Sequence, residues 1–241
     1  MVRSLTLMYH AVSDAWDDAL AIRIGDFDRL LTRLTRGRRR GADAAEIVAR
    51  PGDRRLLHVT FDDAFASVQN ALPTLRRLRV PATIFVCTDL AENGSPLGIS
   101  ELDRVEQRDE LRTLDWDALL ELSDDELIEI GSHTKSHAHL PRLSDSELRA
   151  ELVGSKEAIE DRLGRPARYL AYPFGEEGKR VRRAAEAAGY AAAFAAPGSS
   201  LTADPFRLPR TGLWRSDPLA RQRLKTRFPF RLLIERRATA Q

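Results

Sequence analysis

The chain has 241 residues, of which 43% are hydrophobic and 31% charged, a composition that excludes collagen-like, coiled-coil and low-complexity proteins. Its formal net charge of +2 argues against a dedicated nucleic-acid-binding protein. The single cysteine, Cys87, excludes an internal disulfide and a cysteine-based metal site, so histidines and carboxylates would have to hold any metal ion. We find no secretory h-region and no apolar stretch of about 18 residues, and we expect a cytoplasmic location.

Short apolar segments alternate with amphipathic ones along the chain. We predict strands over 5–9, 56–61, 82–87, 127–130, 169–172 and 190–195, and helices over 26–34, 64–78, 115–122, 144–163 and 177–188. Pro73 is expected to kink the second of these helices, and Ser144 with Glu147 forms a capping box at the start of the fourth. The alternation predicts an α/β fold with a parallel sheet, as a barrel or as an open doubly wound sheet.

Polar residues follow the carboxyl ends of the predicted strands, where α/β barrels build their sites. They are His10, Asp62, Asp63, His133, His137, Tyr172 and Pro173. His133 and His137 are four residues apart, a spacing that can direct two imidazoles at one ion, and Asp63 would be the third ligand. Three protein ligands leave positions open for water and substrate, and the adjacent Asp62 is then placed to act as general base.

Each half of this pattern also has a simpler interpretation. An Asp pair that follows a strand is often a helix N-cap and its neighbour, and two histidines four residues apart are often surface residues. The two motifs occur together at strand ends of one α/β chain, and this combination favours a metal site over two unrelated coincidences.

Several segments resemble the motifs of a known family. TFDD at 60–63, PATIFV at 81–86, HTKSH at 133–137, LPRLSDSELRAEL at 140–152 and AYPFG at 171–175 resemble those of the polysaccharide deacetylases, metal-dependent carbohydrate esterases that share the NodB homology domain. The resemblance covers most of the chain. It implies a distorted (β/α) barrel of about seven strands that forms a single catalytic domain over 1–241.

The resemblance also implies an activity and roles for individual residues. The reaction would be hydrolysis of N-acetyl groups on an amino sugar, polysaccharide or glycoconjugate, with Asp62 as general base for a metal-bound water. One divalent ion, zinc in our prediction, would be bound by Asp63, His133 and His137. We assign substrate contacts to Tyr172, Pro173 and Arg210, and the backbone N–H of Tyr172 is the expected oxyanion donor.

Three departures from the family pattern concern the site. The residue after the Asp pair is usually Gly and here is Ala64. The third motif commonly carries an Arg that orients the catalytic Asp; none stands there, and Arg210 is a candidate to replace it. No histidine follows His139, so the late histidine that serves as general acid in many members is missing.

His10 is the predicted general acid in place of that histidine, because MYH at the end of the first strand resembles a family branch that includes deacetylases of poly-N-acetylglucosamine. The first and last strands are neighbours in a closed barrel, which would bring His10 to the site. The alternative is a structural hydrogen bond at the barrel mouth. His58 is expected in the core or at the rim. Trp16, Trp116 and Trp214 are candidates for a sugar-stacking platform or for the core.

Other functions stay open from the sequence alone. The missing histidine and arginine allow a non-catalytic carbohydrate-binding relative, and related barrels hydrolyse other amides such as cyclic imides. A 2-His-1-carboxylate oxygenase would leave Asp62 without a role. The basic and apolar segment 219–237 is either a peripheral membrane contact or a solvated terminal helix. The expected partner is an acetylated carbohydrate and not a nucleic acid.

Overall fold

A parallel β-sheet organises the computed structural model, which describes residues 2–98, 108–197 and 204–227. The strands are β1 (Leu5–Tyr9), β2 (Ala11–Val12), β3 (Ala21–Ile22), β4 (Arg40–Gly41), β5 (Leu56–Phe61), β6 (Ala82–Val86), β7 (Ile128–Ser132), β8 (Tyr169–Ala171), β9 (Ala192–Pro197) and β10 (Leu208–Gly212). The helices are α1 (Ile24–Arg36), α2 (Ala44–Ala49), α3 (Leu72–Leu78), α4 (Thr88–Ala91), α5 (Trp116–Ser123), α6 (Asp145–Leu163), α7 (Lys179–Ala187) and α8 (Leu219–Lys225).

Seven strands close into a barrel in the order β1-β10-β9-β8-β7-β6-β5, and β5 pairs back with β1. All of these pairings are parallel. The predicted barrel of about seven strands is therefore confirmed, and the open doubly wound sheet is excluded. The short β4 pairs with β5, and β2 pairs with β3 in a separate two-stranded sheet.

The barrel strands are largely apolar along their whole length because helices cover their outer face. β5 reads LLHVTF and β6 reads ATIFV, and every residue of both strands is buried. Parallel sheets wrapped by helices show such runs in place of apolar–polar alternation. The largest core cluster joins these strands to apolar residues of α1, α3 and α5.

The parallel register brings the carboxyl ends of the strands to one rim. Met8 pairs with Gly212 of β10, and Tyr9 pairs with Phe61 of β5. The backbone N–H of Asp62 donates to the Tyr9 carbonyl oxygen at 2.9 Å, which continues this ladder beyond both strands. The residues that follow β1, β5 and β7 therefore share one end of the barrel.

One local prediction is wrong, and one barrel strand was not predicted. Residues Ala66–Ala71 form a 3₁₀ turn, and α3 starts with Pro73 in its first turn, where the missing proline N–H costs no hydrogen bond; the predicted kink is wrong. β10 was not predicted from the sequence, because LPRTG contains a proline and an arginine and shows no strand pattern. Its pairing with β1 on one side and β9 on the other decides its conformation.

The basic segment 219–237 is only partly described. α8 packs onto the barrel through Lys225, whose Nζ donates to the Gly212 carbonyl oxygen at 3.2 Å and pairs with Asp217 at 2.5 Å. Residues 228–237 lie outside the described residues, so a membrane contact through them stays a prediction, as does one domain over 1–241. Within the described ranges, no helix combines the length and apolar character that crossing a membrane requires.

Candidate active site

Three predicted metal ligands converge at the carboxyl rim of the barrel. One ligand atom from each of Asp63, His133 and His137 lies within 4.8 Å of the other two. The Nε2 atoms of His133 and His137 lie 3.5 and 3.4 Å from Asp63 Oδ1, and all three residues are buried. Asp63 follows β5 and the histidines follow β7, so the parallel pairing of both strands with β6 assembles the group.

The donor atoms of this group suit a divalent cation. The Nδ1–H of His133 donates to the Ala171 carbonyl oxygen at 2.8 Å, which leaves the lone pair of Nε2 facing Asp63. Asp63 Oδ1 is buried and has no hydrogen-bond partner among the described residues. A buried carboxylate oxygen that faces the lone pair of an imidazole nitrogen, as Asp63 Oδ1 faces Nε2 of His133, is unfavourable unless a cation lies between them. Asp63, His133 and His137 therefore fit a zinc-type site.

Burial favours the neutral form of both imidazoles. It lowers the pKa of His133, and it lowers the pKa of His137 to about 3. Burial, reinforced by the charge of Asp62, raises the pKa of Asp63 well above its ordinary value. Neutral imidazole is the form that binds metal, and a bound cation would offset the cost of the buried Asp63 charge.

Backbone strain is concentrated at this site. Seven of the described non-glycine residues have a positive φ, and five of them lie in the loops after β5, β7 and β8. They are Asp63, Ala64, Thr134, His137 and Phe174, with φ between 49° and 68°. A left-handed conformation costs an ordinary residue about 1–2 kcal/mol, and such strain clusters where a fold positions functional groups. Ala64 thus keeps the conformation that the usual Gly would favour.

Arg210 supplies the contact that the third motif lacks. Its Nη1 and Nη2 donate to the two carboxylate oxygens of Asp62 at 2.6 and 2.9 Å, and both side chains are buried. Its Nε donates to the Ala195 carbonyl oxygen at 3.0 Å, and Nη1 also reaches Thr60 Oγ1 at 3.2 Å. These contacts support the orienting role predicted for Arg210 rather than its assignment to substrate binding.

The contact with Arg210 keeps Asp62 ionised. Burial opposes ionisation of Asp62, but the charge of Arg210 and its hydrogen bonds outweigh that effect and hold the pKa of Asp62 at about 2. Asp62 is therefore a carboxylate at neutral pH, with its orientation set at two oxygen atoms. Such a group can accept a proton at a defined position.

Glu151 of α6 lies in the motif-like segment 140–152 but was not predicted as a site residue, and it holds the loop between the two histidines. It accepts hydrogen bonds from the backbone N–H groups of Lys135 and Ser136 at 2.9 and 3.0 Å, and from Ser136 Oγ at 2.6 Å. This loop carries the strained His137. Helical periodicity places Glu151 only on α6, and its partners follow from how α6 packs against the loop.

His10 lies beside the site and stacks on Trp214. Their ring centroids are 5.2 Å apart, and the ring planes are inclined by 27°. Burial lowers the pKa of His10 to about 4, an effect that the charge of Asp62 partly offsets. His10 is therefore neutral near pH 7 and does not begin as a charged acid. Its buried Nδ1 has no hydrogen-bond partner among the described residues.

Both hydrogen-bond donors of Tyr172 are occupied by other parts of the barrel. Its backbone N–H donates to the Phe194 carbonyl oxygen at 3.3 Å, and its hydroxyl donates to the Phe206 carbonyl oxygen at 3.0 Å. Tyr172 and Pro173 are also buried. This arrangement does not support the assignment of the Tyr172 amide as oxyanion donor, because β9 already takes up that N–H.

Phe174 is an exposed aromatic residue next to His137, one of the candidate metal ligands. Its side chain is 39% exposed, and its ring meets His137 edge-on at 4.5 Å between centroids. The ring also stacks on His139 at 4.0 Å, and His139 Nδ1 pairs with Glu176 at 3.0 Å. The positive φ of Phe174 gives it this position, which sequence spacing alone does not reveal.

The remaining aromatic candidates divide between core and rim. Trp16 and Trp116 belong to buried core clusters, whereas Trp214 is partly exposed. His58 lies in the barrel core, where its Nδ1 and Nε2 bond to the Ala42 carbonyl oxygen at 2.8 Å and to Thr83 Oγ1 at 2.9 Å. Of the described tryptophans, Trp214 alone is placed to meet a substrate.

Comparisons with known proteins agree with this geometry. A family model described as polysaccharide deacetylase matches residues 49–193. A curated protein of Bacillus subtilis, the putative polysaccharide deacetylase YxkH, is 27% identical over 142 residues, which are 58% of this chain and 44% of that protein. The matched part of this chain therefore spans less than half of that relative.

Solved structures with the same fold cover nearly all of the chain. A polysaccharide deacetylase from Bacillus cereus matches with a TM-score of 0.75 and 22% identity over 93% of this chain and 69% of its own. The Streptococcus pyogenes deacetylase PplD, solved in complex with acetate, matches with a TM-score of 0.77 and 20% identity over 94% and 99% of the two chains. IcaB from Ammonifex degensii matches with a TM-score of 0.74 and 20% identity over 92% of this chain and 96% of its own. At these identities the likeness establishes the fold.

Proposed function

Since the chain belongs to the polysaccharide deacetylase family, we propose that it is a metal-dependent hydrolase that removes N-acetyl groups from an amino sugar, polysaccharide or glycoconjugate. The observation that carries the proposal is the convergence of Asp63, His133 and His137 beside Asp62, which Arg210 holds in place. A barrel that served only as a scaffold would need neither the unpartnered Asp63 oxygen nor a fixed second carboxylate.

The proposed cofactor is one divalent ion held by Asp63, His133 and His137. We propose zinc, because two imidazoles and one carboxylate are a ligand set that catalytic zinc uses. When bound, such an ion polarises the acetyl carbonyl as a Lewis acid and lowers the pKa of water. His133 is held for this role by its bond to the Ala171 carbonyl, and the loop that carries His137 is held by Glu151.

Asp62 is the proposed general base. Its carboxylate is ionised and fixed by Arg210, so it accepts the proton of the attacking water without first reorienting. A carboxylate with a pKa of about 2 binds this proton weakly and passes it on readily. As the new C–O bond forms and the amide C–N bond breaks, the proton goes to the leaving nitrogen, and the products are acetate and a free amine.

We propose that His10 carries the proton to the leaving nitrogen. Its pKa of about 4 makes it a neutral imidazole that receives a proton during the reaction, in contrast to an acid that is charged beforehand. Its electrostatic interaction with Asp62 and the unpartnered Nδ1 support this role.

Two aromatic side chains support a carbohydrate substrate. Trp214 stacks on His10, and the exposed Phe174 contacts His137, so that each aromatic ring lies next to an imidazole of the proposed site. Aromatic faces bury apolar surface of a ligand while leaving its polar groups accessible. The acetate bound to the Streptococcus pyogenes deacetylase is the product that we propose here.

The test combines metal content with acetate release. We expect elemental analysis of protein dialysed against zinc to find about one ion per chain, and expect His133→Ala and Asp63→Ala to lose it. Asp62→Asn should keep the ion but lose acetate release from N-acetylglucosamine oligomers. Sugar binding without turnover, unchanged by Asp62→Asn, would indicate a carbohydrate-binding relative. Hydrolysis of a cyclic imide but of no acetylated sugar would indicate an enzyme for another amide.

A further inference from the structure

Five arginine side chains line one groove on the outside of the barrel, between α1 and α8. They are Arg33, Arg39, Arg54, Arg223 and Arg227. The groove has a volume of about 640 Å³, and no acidic residue is among the described residues that line it. Leu30, Leu34 and Leu224 add an apolar surface, and Leu224 is 38% exposed. The groove is thus both strongly cationic and partly apolar.

Four of the five arginines of this groove differ from most others in the described part of the protein. Arginines elsewhere commonly pair with carboxylates, as Arg162 does with Glu92 and Arg180 with Asp145. In the described part of the chain, no carboxylate lies within 4.0 Å of the side-chain nitrogens of Arg33, Arg54 or Arg223. Arg227 likewise has no such carboxylate among the described residues. Four of the five groove arginines, Arg33, Arg54, Arg223 and Arg227, therefore carry positive charge that no described carboxylate compensates.

Nearby acidic residues are bound to other partners. Asp53 precedes Arg54 but pairs with Arg50 and Arg55. Asp217 precedes α8 but pairs with the buried Lys225 and with Arg221. Like charges crowded in one groove repel each other, and a bound anion would remove that cost.

Helix dipoles account for only part of this charge. Arg33 lies in the last turn of α1 and Arg223 in the last turn of α8, where positive charge is favourable. Arg39 and Arg54 lie outside both helices, and Arg39 is directed by its bond to the Leu56 carbonyl oxygen at 3.0 Å. Charges from three separate parts of the chain thus meet at one place.

The position of α8 is fixed by the protein interior. Lys225 is buried and bridges Asp217 to the Gly212 carbonyl oxygen, and the buried Gln222 donates to the Asp217 carbonyl oxygen at 2.9 Å. These contacts hold the opposite side of α8 against the barrel. Arg223 is therefore presented to the groove by a helix that Gln222 and Lys225 hold in place, and Arg227 follows two residues after the end of that helix.

We propose that this arginine groove binds the phosphate group of an anionic lipid and so holds the protein at a membrane surface. Arginine is the side chain best suited to phosphate, because its planar guanidinium donates two parallel hydrogen bonds. The exposed Leu224 and the neighbouring Leu34 favour a lipid over a soluble phosphate, since they offer a surface for apolar chains. None of the groove residues belongs to the proposed catalytic site, and the inference does not depend on the deacetylase activity.

The test is flotation of the full chain with lipid vesicles at low and high salt. We expect binding to vesicles that contain phosphatidylglycerol, weaker binding at high salt, and none to vesicles of phosphatidylcholine alone. The variant Arg223→Gln with Arg227→Gln should bind about 25-fold more weakly, since each lost charge weakens binding about fivefold. The matched control changes Arg149→Gln and Arg183→Gln, two exposed arginines of α6 and α7, and should bind like the wild type. All variants should keep the wild-type unfolding temperature.

Four results would overturn the proposal. The wild type could fail to float with phosphatidylglycerol at low salt, or the control variant could lose as much binding as the groove variant. Tighter binding of inorganic pyrophosphate than of vesicles would assign the groove to a soluble phosphate. Arginine-dependent binding of a duplex oligonucleotide with equal or greater affinity would assign it to nucleic acid.

Discussion

Arg210 in β10 donates hydrogen bonds of 2.6 and 2.9 Å to the two carboxylate oxygens of Asp62, a residue 148 positions earlier in the sequence. The two residues meet because β10 closes the barrel against β1, which in turn pairs with β5. Burial raises the pKa of Asp62, and the charge of Arg210 is the largest effect that lowers it. Arg210 therefore decides whether this carboxyl group is ionised.

Replacing Arg210 should shift the pH dependence of the reaction. In Arg210→Met, burial would be opposed only by His133 and His10, so the pKa of Asp62 should rise from about 2 and protonation should inactivate the base at a higher pH. We expect the acid limb of kcat/KM for acetate release to move to higher pH, and expect kcat/KM at neutral pH to fall by at least about tenfold. Arg210→Lys keeps the charge and should shift the limb less. An unchanged acid limb in both variants would contradict the role of Arg210.

Glu151 should control metal affinity without touching the metal. Glu151→Ala removes the acceptor for two backbone N–H groups and one hydroxyl in the loop that carries His137, and we expect metal affinity to fall about 10–100-fold. Glu151→Gln can still accept both N–H groups at one oxygen and should restore most of the affinity. Competition with a zinc-binding dye would measure both variants. Equal losses in the two would show that the carboxylate charge, and not the hydrogen bonds, is what matters.

Alanine substitutions at two glycines should distinguish the stability cost of a strained backbone conformation from that of a steric clash. Gly175 has φ +66°, and an added Cβ would lie 2.1 Å from Ala196 Cβ; Gly164 has φ +63° and no atom within 4 Å of such a Cβ. We expect Gly164→Ala to lower the free energy of unfolding by about 1 kcal/mol. Gly175→Ala should cost about 1–3 kcal/mol more and disturb the adjacent Phe174. Urea unfolding of both variants would measure the difference, and equal losses would exclude a steric clash.

Buried neutral histidines should make the metal-free protein sensitive to mild acid. Burial lowers the pKa of His10 to about 4, of His58 to about 4 and of His137 to about 3, whereas the unfolded chain protonates histidine near pH 6.5. Between these values the unfolded state binds more protons, so stability is full above about pH 6.5 and falls as the pH drops toward 4. Each histidine contributes at most about 1.4 kcal/mol per pH unit. Unfolding in urea at several pH values would measure this slope, and constant stability from pH 7 to 4.5 would contradict it.

Local sequence determined most of the secondary structure of the barrel, though not β10, and the chemical identity of its candidate metal ligands. Apolar runs such as LLHVTF can only be stable when both faces are covered, and the Ser144–Glu147 capping box satisfies the first N–H groups of α6 within one turn. The residues that follow the strands, Asp63 and His133 among them, lie at one rim because parallel strands share a direction. These properties depend on residues that are close in the sequence, so they can be predicted from the sequence.

Contacts between distant segments were decided only by the tertiary structure. The family resemblance made Arg210 only a candidate partner of Asp62, and it gave no partners for Glu151, because both contacts depend on strand register or helix packing. The amide of Tyr172 is taken up by β9, whose alignment with β8 no motif encodes. Burial, which sets the pKa of His10, is a property of the assembled barrel. The sequence thus determined which groups are available, and barrel closure determined their partners, because hydrogen bonds and desolvation depend on distance in space.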